Sequence, residues 1–154
     1  MKVALVTPFY KPSIGGVEYI VHHTARELLK RGFEVHVVST THDNRWERVA
    51  QPGVTVEDGI IVHRLKPSSI KIGYSTLMKG LKGTLQKIGP DIVHCHNMHP
   101  HLFQSLRWKE ELGFRLVVQL HYPTATGIDH MLAKILYRIV MYDLVRNQQR
   151  IDAF

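Results

Sequence analysis

The feature that most constrains the fold is a regular alternation of short apolar runs with longer amphipathic segments. The first run, Val3 to Val6, is apolar throughout. Segment 16–31, which follows it, has apolar residues three and four positions apart, as on one face of a helix. The alternation continues and predicts further strands at 34–38, 60–65, 91–96 and 114–120, and further helices at 77–88, 100–111 and 128–150.

Strands that alternate with helices are typical of α/β proteins with a parallel sheet. We therefore predict one domain spanning 1–154, with a Rossmann-like open parallel sheet and helices on both faces. Val54-Thr55-Val56 is expected to pair with strand 60–65 in a hairpin around Asp58-Gly59. The rest of 43–59 and segment 66–76 are predicted as loops. The closing segment 151–154 resembles the start of another strand, so we expect the sequence to be a fragment of a longer chain.

Composition and charge narrow the classes of function. The 154 residues include one cysteine, Cys95, which excludes an internal disulfide framework. The first apolar run meets Pro8 too soon for a signal peptide, and no apolar stretch approaches the ~18–20 residues that span a bilayer. We therefore expect a cytoplasmic protein. The net charge of +7 favours anionic partners, but the aromatic residues do not interleave with the basic ones, so no nucleic-acid partner is expected.

In an open parallel sheet, ligands bind beyond the carboxyl ends of the strands. The loop after the first strand is long and delivers Gly15 and Gly16 to a helix N-terminus, where backbone amides attract phosphate. A tight turn that only closes the helix onto the strand explains the same residues. A dinucleotide enzyme is disfavoured because the glycine spacing is wrong and the second strand ends without an acidic residue. Glu18 is expected to cap or pack the first helix.

A histidine-rich segment follows the fourth predicted strand. His94, His96, His99 and His101 surround Cys95, which raises the hypothesis of a metal site. On a strand, His94 and His96 share one face and Cys95 points to the other. The alternative, which we prefer, is that His94 is an interior polar group and His96 lines the cleft with Asn97, with no metal bound.

Four motifs, in the right order along the chain, carry a family resemblance. Pro8-x-Tyr10-x-Pro12-x-x-Gly15-Gly16-x-Glu18, with the helix that ends at Leu28-Leu29-Lys30-Arg31-Gly32-Phe33-Glu34-Val35, resembles the opening of the retaining GT-B glycosyltransferases of family four. Segment 91–96 resembles the family's "D-h-V-H-x-H" strand, in which h is an apolar residue and x is any residue. Segment 116–121, from Leu116 to His121, resembles the family's "h-V-x-T-h-H" strand. Ile151 to Phe154 resembles a later motif, cut short. Phe33 and Gln119 depart from the family's usual histidine and threonine.

The resemblance implies an N-terminal lobe that holds the acceptor, facing a C-terminal domain that binds the nucleotide-sugar. Gly15 and Gly16 would then contact donor phosphate or acceptor, and His121 would be the catalytic residue against the donor sugar. His96 and Asn97 would line the cleft. The implied enzyme is a hexosyltransferase that acts with retention and without cofactor or metal, and this chain alone would be inactive.

Two alternatives stay open at this stage. The chain could be a free-standing, non-catalytic subunit that binds an acceptor or recruits a membrane for a separate catalytic partner. The acceptor could be a glycan, a lipid or a small molecule. Basic residues on two predicted helices are explained either as solvated surface or as peripheral contact with anionic membrane; they are Lys79, Lys82, Lys87, Lys134, Arg138, Arg146 and Arg150.

Overall fold

A computed structural model describes residues 1–72, 75–97, 100–121 and 148–153. A short 3-10 helix spans Gln148–Arg150. The other elements, in chain order, are β1 (Lys2–Val6), α1 (Gly16–Lys30), β2 (Glu34–Thr40), β3 (Gly53–Glu57), β4 (Ile60–Leu65), β5 (Pro67–Ile72), β6 (Ser75–Met78), α2 (Leu81–Ile88), β7 (Ile92–His96), α3 (Pro100–Leu112) and β8 (Arg115–Gln119).

The main sheet has the order β3-β4-β2-β1-β7-β8. Its strands are parallel except for β3, which runs antiparallel to β4. The hairpin predicted around Asp58-Gly59 is present, with Thr55 opposite Val62. Asp58 and Gly59 both have positive φ, the conformation that a two-residue hairpin turn requires. The predicted Rossmann-like α/β fold is confirmed.

Successive side chains along each strand point to opposite faces of the sheet, and on each face they pack into a hydrophobic core. Val3 and Leu5 of β1 join the core that packs against α1, together with Val21 and Ala25 of that helix. The other core packs against α2 and α3; its members include Ala4, Val6, Leu81, Leu85, Leu102 and Leu106. Helices therefore cover both faces, as the alternation of strands and helices predicts.

Two of the predicted element boundaries are wrong. Residues 66–76, expected to form a loop, contribute to a separate two-stranded antiparallel ribbon of β5 and β6. The helix expected from Leu77 begins at Leu81, because Leu77 belongs to β6 and Gly80 adopts a left-handed conformation with φ of 84°. Leu77 and Leu81 are four positions apart, so they imitate a helix face. The helix predicted at 128–150 falls mostly outside the described residues.

The closing segment joins the sheet next to β8. Ala153 forms a parallel bridge with Val117, and the Asp152 amide donates to the Leu116 carbonyl at 2.8 Å. The Asp152 carboxylate accepts a hydrogen bond from the Leu116 amide at 2.7 Å, which, with Lys109 nearby, holds the pKa of that carboxyl below its usual value. The segment thus begins to extend the sheet, as predicted; Phe154 lies outside the described residues.

No helix among the described residues is long and apolar enough to cross a membrane. The basic face of α2 is partly neutralised, since Lys82 lies 2.7 Å from the Glu111 carboxylate on α3. Exposed ion pairs of this kind contribute little to stability. The pair gives Lys82 a partner within the protein, and Lys79 precedes α2 in the structure. Peripheral contact with anionic membrane stays a prediction.

A buried carboxylate organises the start of α1. Gly15 is the N-cap residue in an extended conformation, and Gly16 is the first helical residue. Glu18 is buried and accepts a hydrogen bond from Ser13 Oγ at 3.3 Å. Its carboxylate folds back over Gly15, so that a Cβ on Gly15 would clash with it, whereas a Cβ on Gly16 would meet nothing within 4 Å. Glu18 therefore packs at the helix N-terminus, as predicted.

The two glycines should respond in opposite directions to the same substitution. We expect Gly15→Ala to destabilise the chain by about 1–2 kcal/mol, because the displaced Glu18 loses its bond to Ser13 inside the protein. We expect Gly16→Ala to be neutral or to stabilise by up to ~1 kcal/mol, since alanine lowers the entropy of the unfolded chain. Urea denaturation of both variants measures this.

Adding Glu18→Ala to Gly15→Ala supplies the internal control. The double variant should be more stable than the two separate costs predict, because removing the carboxylate removes the clash. Additive costs would show that Gly15 is required for another reason.

Candidate active site

The carboxyl ends of β7 and β8 bring together three of the residues predicted from the sequence. His96 is the last residue of β7, Asn97 follows it, and His121 lies two residues beyond β8. His96 Nδ1 and His121 Nε2 share a hydrogen bond of 3.0 Å, with the ring planes 10° apart. Asn97 Oδ1 accepts a hydrogen bond from the His121 amide at 2.9 Å. Both the ring and the backbone of His121 are therefore held from β7.

Asn97 owes its position to an unusual backbone conformation. Its φ is 66°, in the left-handed region where asparagine is one of the few tolerated side chains. Its amide donates to the Gln119 carbonyl at 2.8 Å, which closes the ladder between β7 and β8. The side chain, buried in the protein, then turns toward the start of the segment after β8. A change to a β-branched residue would disturb both contacts.

Burial keeps this histidine group neutral. Burial lowers the pKa of His96 to about 2, with further contributions from His94, His121 and His101. Burial also lowers the pKa of His94 to about 4 and lowers that of His121. Neutral imidazole both donates and accepts, so the group provides directed hydrogen bonds and not a positive charge. His96 Nε2 is buried and has no hydrogen-bond partner among the described residues.

The histidine segment divides between the two faces of the sheet, as predicted. The His94 and His96 rings lie side by side with centroids 4.3 Å apart. Cys95 points to the opposite core, where Ser105 Oγ lies 3.6 Å from its sulfur, and burial raises the pKa of the thiol to about 12. His101 Nε2 donates to the His96 carbonyl at 3.1 Å.

This arrangement does not resemble a metal centre. No three histidine, cysteine or acidic side chains come together as metal ligands in the described part of the chain. His99 lies outside it, and the absence of a bound metal stays a prediction. His94 differs in one respect from the expected satisfied interior residue, because its Nε2 is buried without a hydrogen-bond partner among the described residues.

The glycine-rich loop lies on the other side of β1, against β2 and β4. Thr40 Oγ1 donates to the Pro8 carbonyl at 2.7 Å, and Arg64 of β4 donates to the Lys11 carbonyl. The Arg64 guanidinium also lies 5.3 Å from the centre of the Tyr10 ring. Its side chain is only 4% exposed and has Glu57 Oε1 at 3.6 Å. Arg64 therefore supports the loop that presents Gly15 and Gly16.

An open cleft of about 580 Å³ lies between this loop and the β3–β4 hairpin. Residues of the loop and of α1 form one side, and Thr55, Glu57 and Arg64 form the other. Gly15 lines this cleft, but neither His96 nor His121 does. The sheet edge thus carries a histidine group and a separate cleft. Among the described residues, none that lines the cleft belongs to the histidine group of His96, Asn97 and His121.

Sequence reasoning identified the histidine group but missed Arg64 and Glu57. The signal for Arg64 was available: it continues the inward-facing series of Ile60 and Val62 along β4. An arginine in register with two buried residues must find partners inside the protein. Glu57 and the Lys11 carbonyl are such partners. The predicted hairpin brings Glu57 near Arg64, whereas no local pattern predicts that the loop after β1 reaches β4.

Buried neutral histidines make the stability of the chain sensitive to acid. The folded-state pKa values of His94 and His96 lie below the unfolded value of about 6.5, so the unfolded chain binds more protons below that pH. The contribution of these two histidines to the free energy of unfolding is therefore fully present above about pH 6.5 and is lost as the pH falls below it. Each histidine contributes a slope of at most ~1.4 kcal/mol per pH unit.

Urea denaturation between about pH 7 and pH 5 measures this slope. We expect His96→Gln to reduce it, because glutamine does not titrate, and Val54→Ala on the exposed edge strand, which changes no titratable group, to leave it unchanged. Equal slopes in wild type and His96→Gln would show that His96 does not resist protonation in the fold.

Comparison with known proteins agrees with the fold. A search of curated proteins found no significant match. The family model described as Glycosyltransferase Family 4 matches residues 14–153, which include Gly15, Gly16, His96, Asn97 and His121. The match covers most of the sequence. The chain therefore belongs to glycosyltransferase family 4, as an N-terminal domain of Rossmann-like fold.

Proposed function

We propose that this domain is the acceptor-side lobe of an enzyme that transfers a hexose from a nucleotide-sugar to an acceptor with retention. The family match over residues 14–153 is the observation that carries the proposal. The donor nucleotide would be held by a C-terminal domain of the same polypeptide. On this view the isolated chain supplies one wall of the reaction cleft and does not catalyse transfer alone.

His121 is the residue that we place against the donor sugar. Its Nε2 is engaged with His96 and its backbone amide with Asn97, which leaves ring Nδ1 as the polar group available to substrate. A side chain fixed at two points loses little entropy when it binds a sugar hydroxyl. His96 and Asn97 then act as positioning residues behind it.

The buried nitrogen of His96 favours one proton arrangement. If His96 carries its proton on Nδ1, it donates to His121 Nε2, and only a lone pair is left unsatisfied at His96 Nε2. The reverse arrangement buries an unpartnered N–H, which proteins tolerate less well. We infer the first arrangement, in which His121 is protonated on Nδ1 and donates a hydrogen bond to the sugar.

The glycine turn is the second element of the proposal. The N-terminus of α1 presents backbone amides and the positive end of the helix dipole, which stabilise a diphosphate as it departs. The Glu18 carboxylate covers Gly15, so the diphosphate would approach on the Gly16 side, where an added Cβ would meet nothing within 4 Å. Such dipoles can assist departure of the nucleotide without a metal or a cofactor, and we propose that neither is used.

The cytoplasmic surface of a membrane is negatively charged and attracts a protein with a net charge of +7. We propose that the enzyme acts in the cytoplasm and that its net positive charge favours peripheral contact with anionic lipid.

Transfer assays with the full-length polypeptide test the role of His121. We expect His121→Ala to lower kcat by about a hundredfold, the usual cost of one transition-state hydrogen-bond donor, with the fold intact by circular dichroism. Leu120→Ala, which truncates the exposed neighbouring side chain, serves as the matched control and should retain activity. Undiminished turnover in His121→Ala would remove this residue from the site.

Nitrogen NMR of the labelled chain tests the proton arrangement independently of activity. We expect His121 to be protonated on Nδ1 above about pH 6.5, because burial lowers its pKa, and to gain its second proton only below that pH. His96→Asn should abolish the preference for one nitrogen. A wild-type His121 that is protonated on Nε2 would contradict the proposed donation to the sugar.

A further inference from the structure

The cleft between the glycine-rich loop and the β3–β4 hairpin has a balanced set of charges. Lys11 and Arg64 supply two cations, and Glu18 and Glu57 supply two carboxylates. Glu18 is buried and Arg64 is 4% exposed, so these charges belong to the built interior of the site. A phosphate or carboxylate placed here would approach two carboxylates as well as two cations, which works against an anionic ligand.

Arg64 has an unused donor at this place. One terminal nitrogen, Nη2, donates to the Lys11 carbonyl, and the guanidinium lies beside Glu57. Nη1 is buried and has no hydrogen-bond partner among the described residues. A small movement of Arg64, or a ligand oxygen that reaches it, would satisfy that nitrogen and recover the free energy that an unmade hydrogen bond costs.

An exposed aromatic ring stands at the rim of the cleft. Tyr19, on the outer surface of α1, is 70% exposed, and its ring stacks on that of His23 with the planes 9° apart. Ile14 beside it is 93% exposed. A flat ring that is free on one face is a platform on which an amphipathic molecule lies with low entropic cost. The cleft therefore combines a ring at its rim with donors and acceptors inside.

We propose that this cleft binds a neutral sugar ring of the acceptor. Hydroxyl groups both donate and accept, so a sugar can use the carboxylates of Glu18 and Glu57 as well as Arg64 and Lys11. The apolar face of the ring would lie on Tyr19. The cleft volume of about 580 Å³ is in the range usual for small-molecule sites. The inference rests on the proposed glycosyltransferase function and assigns the acceptor to the glycan class.

Binding measurements on the chain itself test the site without turnover. Saturation-transfer NMR with glucose, mannose, galactose and N-acetylglucosamine, alongside glucuronate and inorganic phosphate, provides the panel of probes. We expect at least one neutral sugar to bind, with an affinity insensitive to added salt, because no net charge is neutralised. Tighter binding of glucuronate, weakened by salt, would overturn the assignment. Phosphate binding that Glu57→Gln strengthens would also overturn it, because Glu57 lines this cleft and Gly16 does not.

Substitutions at the rim locate the site without disturbing the fold. Tyr19→Ala should weaken sugar binding by about fivefold or more, whereas Tyr19→Phe, which keeps the ring, should retain it. Glu57→Gln should shift preference toward glucuronate, and Glu110→Gln on the far face of the sheet should change nothing. Equal binding by wild type and Tyr19→Ala would place the sugar elsewhere.

Two further measurements separate this inference from its alternatives. Co-sedimentation with vesicles of anionic lipid tests whether Ile14 and Tyr19 form a membrane contact; loss of vesicle binding in Tyr19→Ala, with sugar binding unchanged, would overturn the proposal. In the full-length enzyme, Tyr19→Ala should raise the acceptor KM and leave the donor KM unchanged. If Tyr19→Ala transfers sugar with an unchanged acceptor KM, the cleft is not the acceptor site, although the proposed function stands. If the chain binds sugar in the cleft but the full-length enzyme transfers none, the proposed function is wrong, although the cleft is a sugar site.

Discussion

The parallel pairing of β1 with both β2 and β7 is the constraint on which the rest of the structure depends. In this register Val6 lies opposite Val38 on one side and Cys95 on the other, so three strands end at the same edge. Three segments therefore meet at this edge: the loop that carries Gly15, the end of β2 and the residues after β7. The register of the strands alone is enough to bring residues that are far apart in sequence close together.

Burial of polar side chains is the second organising effect. Arg64, Glu18, His96 and Asn97 are almost fully buried, and each is held by at least one hydrogen bond. Polar groups inside a protein are costly unless they are paired, and paired groups have few alternative positions. Each of these side chains therefore has a defined position, and His96 Nε2 and Arg64 Nη1 are buried nitrogens without a hydrogen-bond partner among the described residues.

The sequence predicted those parts of the fold that depend on local periodicity. α1, β7 and α3 lie where the apolar spacing put them, and the hairpin of β3 and β4 follows from Asp58-Gly59. It failed at β6, where Leu77 and Leu81 lie on a common helical spacing although Gly80 interrupts the helix. Spacing records which residues face the core and does not record the backbone conformation between them.

The candidate site was predictable residue by residue but not as an arrangement. His96 and His121 could be proposed from their motifs, yet their hydrogen bond depends on the register of β7 with β8, which no local pattern fixes. Arg64 escaped notice because a charged residue in a strand is ordinarily assigned to solvent. Its partner Glu57 lies on the other strand of the predicted hairpin, but the Lys11 carbonyl comes from the loop after β1, and only tertiary structure shows that contact.

The separation of the cleft from the histidine group has an evolutionary consequence. The cleft is built from the loop after β1, the start of α1 and the edge hairpin, whereas His96, Asn97 and His121 belong to the ends of β7 and β8. Substitutions in groups that share no contacts have nearly additive effects. On the proposed assignment of acceptor to the cleft and donor sugar to the histidine group, drift in β3 and the adjoining loop changes the acceptor while the histidine group is inherited unchanged.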